Sequence, residues 1–113
     1  MLRIPNMRFI SFGVYAAAAV AAPAQTIDIA PELWDRPRTG GALLAQDSVK
    51  GAVRAALAKP EARIVIHHSA GQEPLVQAEE LRSWLGALAI DTRRIALRSD
   101  LEPGAALKIE ILP

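Results

Sequence analysis

Two short stretches of this 113-residue chain hold the side chains best suited to chemistry. The first is His67-His68-Ser69. Imidazoles titrate near neutral pH and ligate zinc or copper. A serine next to a histidine, with Asp100 further along, supplies the parts of a nucleophilic triad. The spacing argues against both uses. Adjacent residues of a strand point to opposite faces, so His67 and His68 are poorly placed to chelate one ion. A site on one of them needs Glu73, Glu79 or an N-terminal group as well. Ser69 does not stand within Gly-x-Ser-x-Gly, the turn that presents a nucleophile at a strand end. We therefore expect no catalytic residue, no metal and no cofactor. His67, His68 and Ser69 are read, with Gln77, as candidate ligand-loop residues, and a His-based metal-binding or hydrolytic protein is the alternative they leave open.

The second stretch is Trp34-Asp35-Arg36-Pro37-Arg38-Thr39-Gly40-Gly41. It places an indole, two guanidinium groups and a carboxylate among turn residues, and Trp and Arg are the types most enriched at binding hot spots. Trp34, Arg36 and Arg38 are the candidate partner-binding residues. The plainer alternative is that Trp34 plugs one end of the core while Asp35 pairs with Arg36 or Arg38. Arg93, Arg94 and Arg98 form a third charged group. Asp91, Asp100 and Glu102 lie close to them in sequence, so charge compensation is expected there.

These residues need a scaffold, and the apolar spacing predicts one. Thr26-Ile27-Asp28-Ile29 alternates and reads as a short strand. Pro31 to Gly41 reads as a loop because of its prolines and glycines, with Leu43 and Leu44 packed beneath it. Asp47 and Ser48 are good N-caps. Val49, Ala52, Val53, Ala56 and Leu57 then recur at helical spacing until Pro60. Ile64-Val65-Ile66 is a β-branched run and a predicted buried strand. Pro74 suits the first turn of a second helix, whose apolar stripe is Leu81, Trp84, Leu85 and Leu88, with Glu79, Glu80 and Arg82 on the wetter side. Ile95-Ala96-Leu97 and Leu107 to Ile111 are the last two strands, the latter expected at an exposed position open to dimerisation. The order β-α-β-α-β-β predicts a two-layer α/β sandwich, with both helices on one face of a small mixed sheet.

The first 24 residues read as a secretion signal rather than as part of that fold. Arg3 and Arg8 give a positive start, an apolar run spans Phe9 to Ala22, and Ala22-Pro23-Ala24 offers the small-x-small pattern of a cleavage site. The run is shorter than the roughly 20 residues a spanning helix needs, so membrane contact is expected only through the signal before cleavage, an uncleaved anchor being the alternative. Residues 25–113 then form one small periplasmic domain, away from ATP, NAD and nucleic acid. The chain has 13 basic and 12 acidic side chains, a formal charge of +1. Without Arg3 and Arg8 the balance turns slightly negative, which gives no electrostatic reason to expect nucleic acid as a partner. The chain has no cysteine, which excludes disulfides, thiol catalysis and thiolate zinc sites.

The segment from Ala62 to Ile95 resembles the OmpA-like (OmpA/MotB C-terminal) periplasmic domain, which has the same element order. Ile64-Val65-Ile66-His67-His68-Ser69 is similar to that family's strand ending in Gly-His-Thr-Asp. Trp84-Leu85, Ile90 and Arg94-Ile95 follow its Tyr-Leu, Gly-Ile, Arg-Ile spacing. The resemblance implies a site for the diaminopimelate stem of peptidoglycan, made by an aspartate after the second strand and an arginine early in the next helix. Here those positions match Ala70 and Gln77, so neither charge is present, and the intervening loop is shorter. A ligand with a free ammonium and a free carboxylate calls for opposite charges. The expectation is therefore a degenerate OmpA-like domain acting as a non-enzymatic binding or scaffolding module of an envelope assembly. Its expected partner is an envelope protein or a cell-wall or polysaccharide component, and a peptidoglycan-associated domain is the alternative.

Overall fold

Alternation of isoleucines along four short strands builds the sheet. The computed structural model describes residues 24–113; the expected signal peptide lies outside the described residues except for Ala24. The strands are β1 (Gln25–Asp28), β2 (Ile64–Ser69), β3 (Ile95–Leu101) and β4 (Lys108–Ile111). The helices are α1 (Gly40–Leu44), α2 (Asp47–Ala58) and α3 (Gln72–Ala87), and 3-10 turns occupy Pro31–Asp35 and Thr92–Arg94.

The sheet order is β1-β4-β2-β3, with β2 and β3 parallel and β4 antiparallel to both β1 and β2. Register aligns Ile27, Ile109, Ile66 and Leu97 in one row across the sheet, and Ile111, Ile64 and Ile95 in the next. Both rows belong to the core. β-branched residues stacked across strands suit a pleated, buried face. The opposite face carries the alternate residues, a row Asp28, Lys108, His67, Arg98 and a row Thr26, Glu110, Val65, Ala96. α2 packs on the β1/β4 half and α3 on the β2/β3 half, while α1 touches both helices. The predicted two-layer α/β sandwich is the architecture observed.

Several local expectations are corrected. The last strand is interior, between β1 and β2, so the exposed strands are β1 and β3. The predicted loop contains a 3-10 turn and then α1, which starts because the Thr39 hydroxyl accepts from the Ala42 amide at 3.0 Å. Leu43 is fully buried, but Leu44, about 100° further round the helix, is 38 % exposed. Leu57 likewise turns outward. Gln46, not Asp47 or Ser48, is the cap residue of α2, and it makes no side-chain capping bond. Asp47 stands in the first turn, where its charge suits the helix dipole.

Two features fix the helix ends. The Arg94 guanidinium donates to the carbonyls of Ala62 (2.9 Å), Ala56 (3.0 Å) and Lys59 (2.7 Å). It thereby adds a second donor to the Ala56 and Lys59 carbonyls, which also accept from the Lys59 and Ala62 amides, and ties the end of α2 and the following turn together. At the end of α3, Ala89 has φ of 84°, and the Ile90 amide returns to the Leu85 carbonyl at 3.0 Å. That is a left-handed helix stop of the kind usually made by glycine. Arg94→Ala is expected to lower unfolding stability by about 2 kcal/mol, with Lys unable to restore the forked geometry. Ala89→Gly is expected to raise stability by about 0.5–1 kcal/mol, because the left-handed conformation costs an alanine more than it costs a glycine. Urea unfolding of both variants reads the two opposite signs.

Candidate functional site

β1, β2 and β3 run in the same sense, so their carboxyl ends meet at one edge of the sandwich. In open α/β sheets this is the end where loops leave room for ligands. A cleft of about 760 Å³ lies here. One wall comes from Pro31, Trp34, Asp35 and Arg38. A second comes from α3 and the turn before it, with Ser69, Ala70, Glu73, Val76, Gln77 and Glu80, and a third from Pro103 to Leu107. The α3 residues recur at i, i+3, i+4 and i+7, one stripe of that helix.

Arg38 holds the first wall to the second. Its Nε donates to Glu80 Oε2 at 2.7 Å and its Nη2 to Glu80 Oε1 at 3.1 Å, a forked arrangement suited to a carboxylate. Its Nη1 donates to the carbonyls of Arg36 (2.7 Å) and Trp34 (3.2 Å). The same guanidinium lies 5.4 Å from the centroid of the Trp34 ring, within cation–π range. Glu80 Oε2 also accepts from Trp84 Nε1 at 3.1 Å. The hydrogen bond from Arg38 is the main cause of a Glu80 pKa below the ordinary carboxylate value; burial opposes it, and the Trp84 bond and the Arg38 charge add to it. Arg38 in turn titrates above its ordinary value, chiefly through the hydrogen bond to Glu80.

Of the residues singled out in the sequence, the cleft brings together Trp34, Arg38, Ser69 and Gln77. Arg36, His67 and His68 do not line it. Arg36 is exposed, and it contributes its carbonyl rather than its side chain to the loop. Trp34 is half-buried against the core, as the plainer alternative has it, but the expected pairing of Asp35 with Arg36 or Arg38 is replaced by Arg38–Glu80. Glu73 was named only as a possible co-ligand of a histidine, and Glu80 was not legible as a site residue. The signals that mark them are the i, i+4 spacing of Glu80 to Trp84 and the second stripe on α3.

The two histidines separate, as strand alternation requires. His68 is buried and its Nδ1 donates to the Ser69 carbonyl at 2.8 Å. His67 lies on the helix-free face of the sheet, its Nδ1 2.8 Å from Asp100 Oδ1 and its Nε2 2.9 Å from Glu110 Oε1. The sequence grouping of Ser69, His67 and Asp100 is thus half realised. His67 meets Asp100, but its second nitrogen is engaged by Glu110, and His68 meets the Ser69 carbonyl rather than its hydroxyl. Among the described residues no group of three His, Asp or Glu side chains is placed to hold a metal ion.

Two members of the arginine group are taken up internally, while Arg98 is exposed and in no ion pair among the described residues. Arg93 pairs with Asp91 at 2.7 Å, and its side-chain and backbone hydrogen bonds hold Asp91 down at about 2. Arg94 binds carbonyls.

Comparison of the chain with protein-family models, with curated proteins and with solved structures finds no match in any of the three.

His67 generates a prediction. Burial works against its charged form, but the hydrogen bonds to Glu110 and Asp100 and the charges of those carboxylates outweigh it, so its pKa lies above the ordinary imidazole value. Lys108 and Arg98 are its cross-strand neighbours. A group whose pKa is raised by folding stabilises the fold fully below its unfolded pKa, and loses that contribution as pH rises through the folded value. The melting temperature is therefore expected to fall as pH rises from the ordinary imidazole range through the raised His67 value, with a flatter profile for His67→Gln. Thermal melts across that range check it.

Proposed function

We propose that this chain is an exported, non-enzymatic binding module of a bacterial envelope assembly, and that the cleft at the carboxyl ends of β1, β2 and β3 is its ligand site. The observation that carries the reading is the docking of the Trp34 loop on α3 through Arg38 and Glu80. That contact gives a small domain a cleft of about 760 Å³, within the usual size of ligand sites. Its indole is held in place before any ligand arrives, and pre-organised aromatic groups lose little freedom on binding. Export is supported by the charged start, apolar run and Ala22-Pro23-Ala24 of the N-terminal segment.

A second reading, a peptidoglycan-associated OmpA-like domain, is favoured by one specific observation. Ala70 and Gln77, the positions that the resemblance assigns to the family's ligand-binding charges, both line this cleft. Under that reading the lost pair has been replaced by other contacts.

Crosslinking in intact envelopes, with isolated sacculi sedimented alongside, tests both. A discrete protein adduct is expected, weakened on the order of tenfold by Trp34→Ala, with the melting temperature of the variant measured to exclude unfolding. Retention on sacculi without a protein adduct supports the second reading. A folded Trp34→Ala variant that crosslinks as well as the parent removes the cleft from the function. N-terminal sequencing of the exported protein is expected to begin at Gln25.

A further inference from the structure

The charge inside the cleft identifies what it can receive, taking as given that the cleft is the binding site. Arg38 is the one basic residue lining it, and its guanidinium is committed to Glu80. Asp35 and Glu73 also line it, and among the described residues neither is in an ion pair. Two carboxylates therefore remain without a counter-charge, beside apolar surface from Pro31, Trp34, Pro74, Val76 and Pro103. Val76 is 50 % exposed on this wall. Ser69, only 2 % exposed, lines the cleft as well.

We propose that the cleft takes a lysine or arginine side chain carried on an extended segment of a partner protein. The apolar wall matches the aliphatic stem of such a side chain, which packs on apolar surface while its charged head stays hydrated or paired. The two carboxylates match the head. The Ser69 hydroxyl and the Gln77 amide supply a donor and an acceptor for the main chain on either side. The cleft is larger than one side chain needs, which suits entry of flanking backbone. A ligand that also presents a carboxylate finds no uncommitted cation here, since Arg38 must leave Glu80 to meet it. That disfavours a zwitterionic group and favours a purely cationic one.

The test is calorimetric titration of the purified full chain with N-acetylated, C-amidated alanine peptides bearing one central lysine, arginine, norleucine or glutamate, at low and at raised salt, with sacculus sedimentation in parallel. The lysine and arginine peptides are expected to bind at least about fivefold more tightly than norleucine, and glutamate not at all. Raised salt and either Asp35→Asn or Glu73→Gln are expected to reduce the preference by about fivefold, roughly what one partly exposed charge contact supplies. Equal binding of lysine and norleucine peptides overturns the charge assignment and leaves the cleft as a binding site. Binding to sacculi with no peptide bound overturns the peptide assignment in favour of the cell wall. No binding to peptides or sacculi, together with no envelope adduct, overturns the binding-module reading as well.

Discussion

The sheet depends on the insertion of β4. β1 and β2 do not pair with one another; each pairs with the last strand of the chain. Ile109 lies between Ile27 and Ile66 in one core row, and Ile111 lies beside Ile64 in the next. Its outward residues are equally committed: Lys108 reaches Asp28 at 2.8 Å and Glu110 meets His67 at 2.9 Å. The contacts that close the sheet therefore join residues near 25 to residues near 111. Closing so long a loop costs entropy that local pairing cannot repay. β2, α3 and β3 can meet earlier, since each is adjacent to the next in sequence. The β1 half waits for β4.

The cleft depends on the fold through a narrower link. Isolated surface ion pairs contribute little, but Arg38–Glu80 is not isolated. The arginine also holds two carbonyls and lies over Trp34, and the glutamate also accepts from Trp84. Contacts that share partners in this way act as a network rather than as separate pairs. The network converts a loop of Pro and Gly residues into a wall, and the loop lies where the strand ends leave room. The remaining walls, the turn before α3 and the Pro103–Leu107 segment, are also connections between elements. The sheet can therefore keep its isoleucine rows while the cleft residues vary.

Those isoleucine rows were the most legible part of the chain. Period-two alternation marked β1 and β4, and the 3.6-residue period marked α2 and α3, because each follows from one buried face; β2 was marked by its β-branched run and is buried on both faces. Strand order was not legible. Alternation reports which face is buried and says nothing of which neighbour lies alongside, so β4 read as an exposed strand although it is central. α1 was hidden by Gly40 and Gly41, and Thr39 and Leu43 outweigh them. Within the site, Trp34 and Arg38 stood out by residue type and Gln77 through the family resemblance. Glu80 did not, because its partner is 42 residues away. His67 and His68 attracted attention by reactivity, yet their surroundings use them for structure.

The distribution of charge separates the two surfaces on which polar residues gather. On the helix-free face of the sheet, Lys108 answers Asp28, and His67 stands between Asp100 and Glu110. Nearly every charge there is met within the domain, leaving Arg98 exposed at the edge strand. Such a face is well solvated and exerts little specific pull on a ligand. In the cleft the arginine is spent on holding the loop, and Asp35 and Glu73 remain exposed among its lining residues, in no ion pair among the described residues. The commitment of Arg38 to Glu80 thus does two things at once: it builds the cleft, and it removes from the cleft the positive charge that would otherwise balance Asp35 and Glu73.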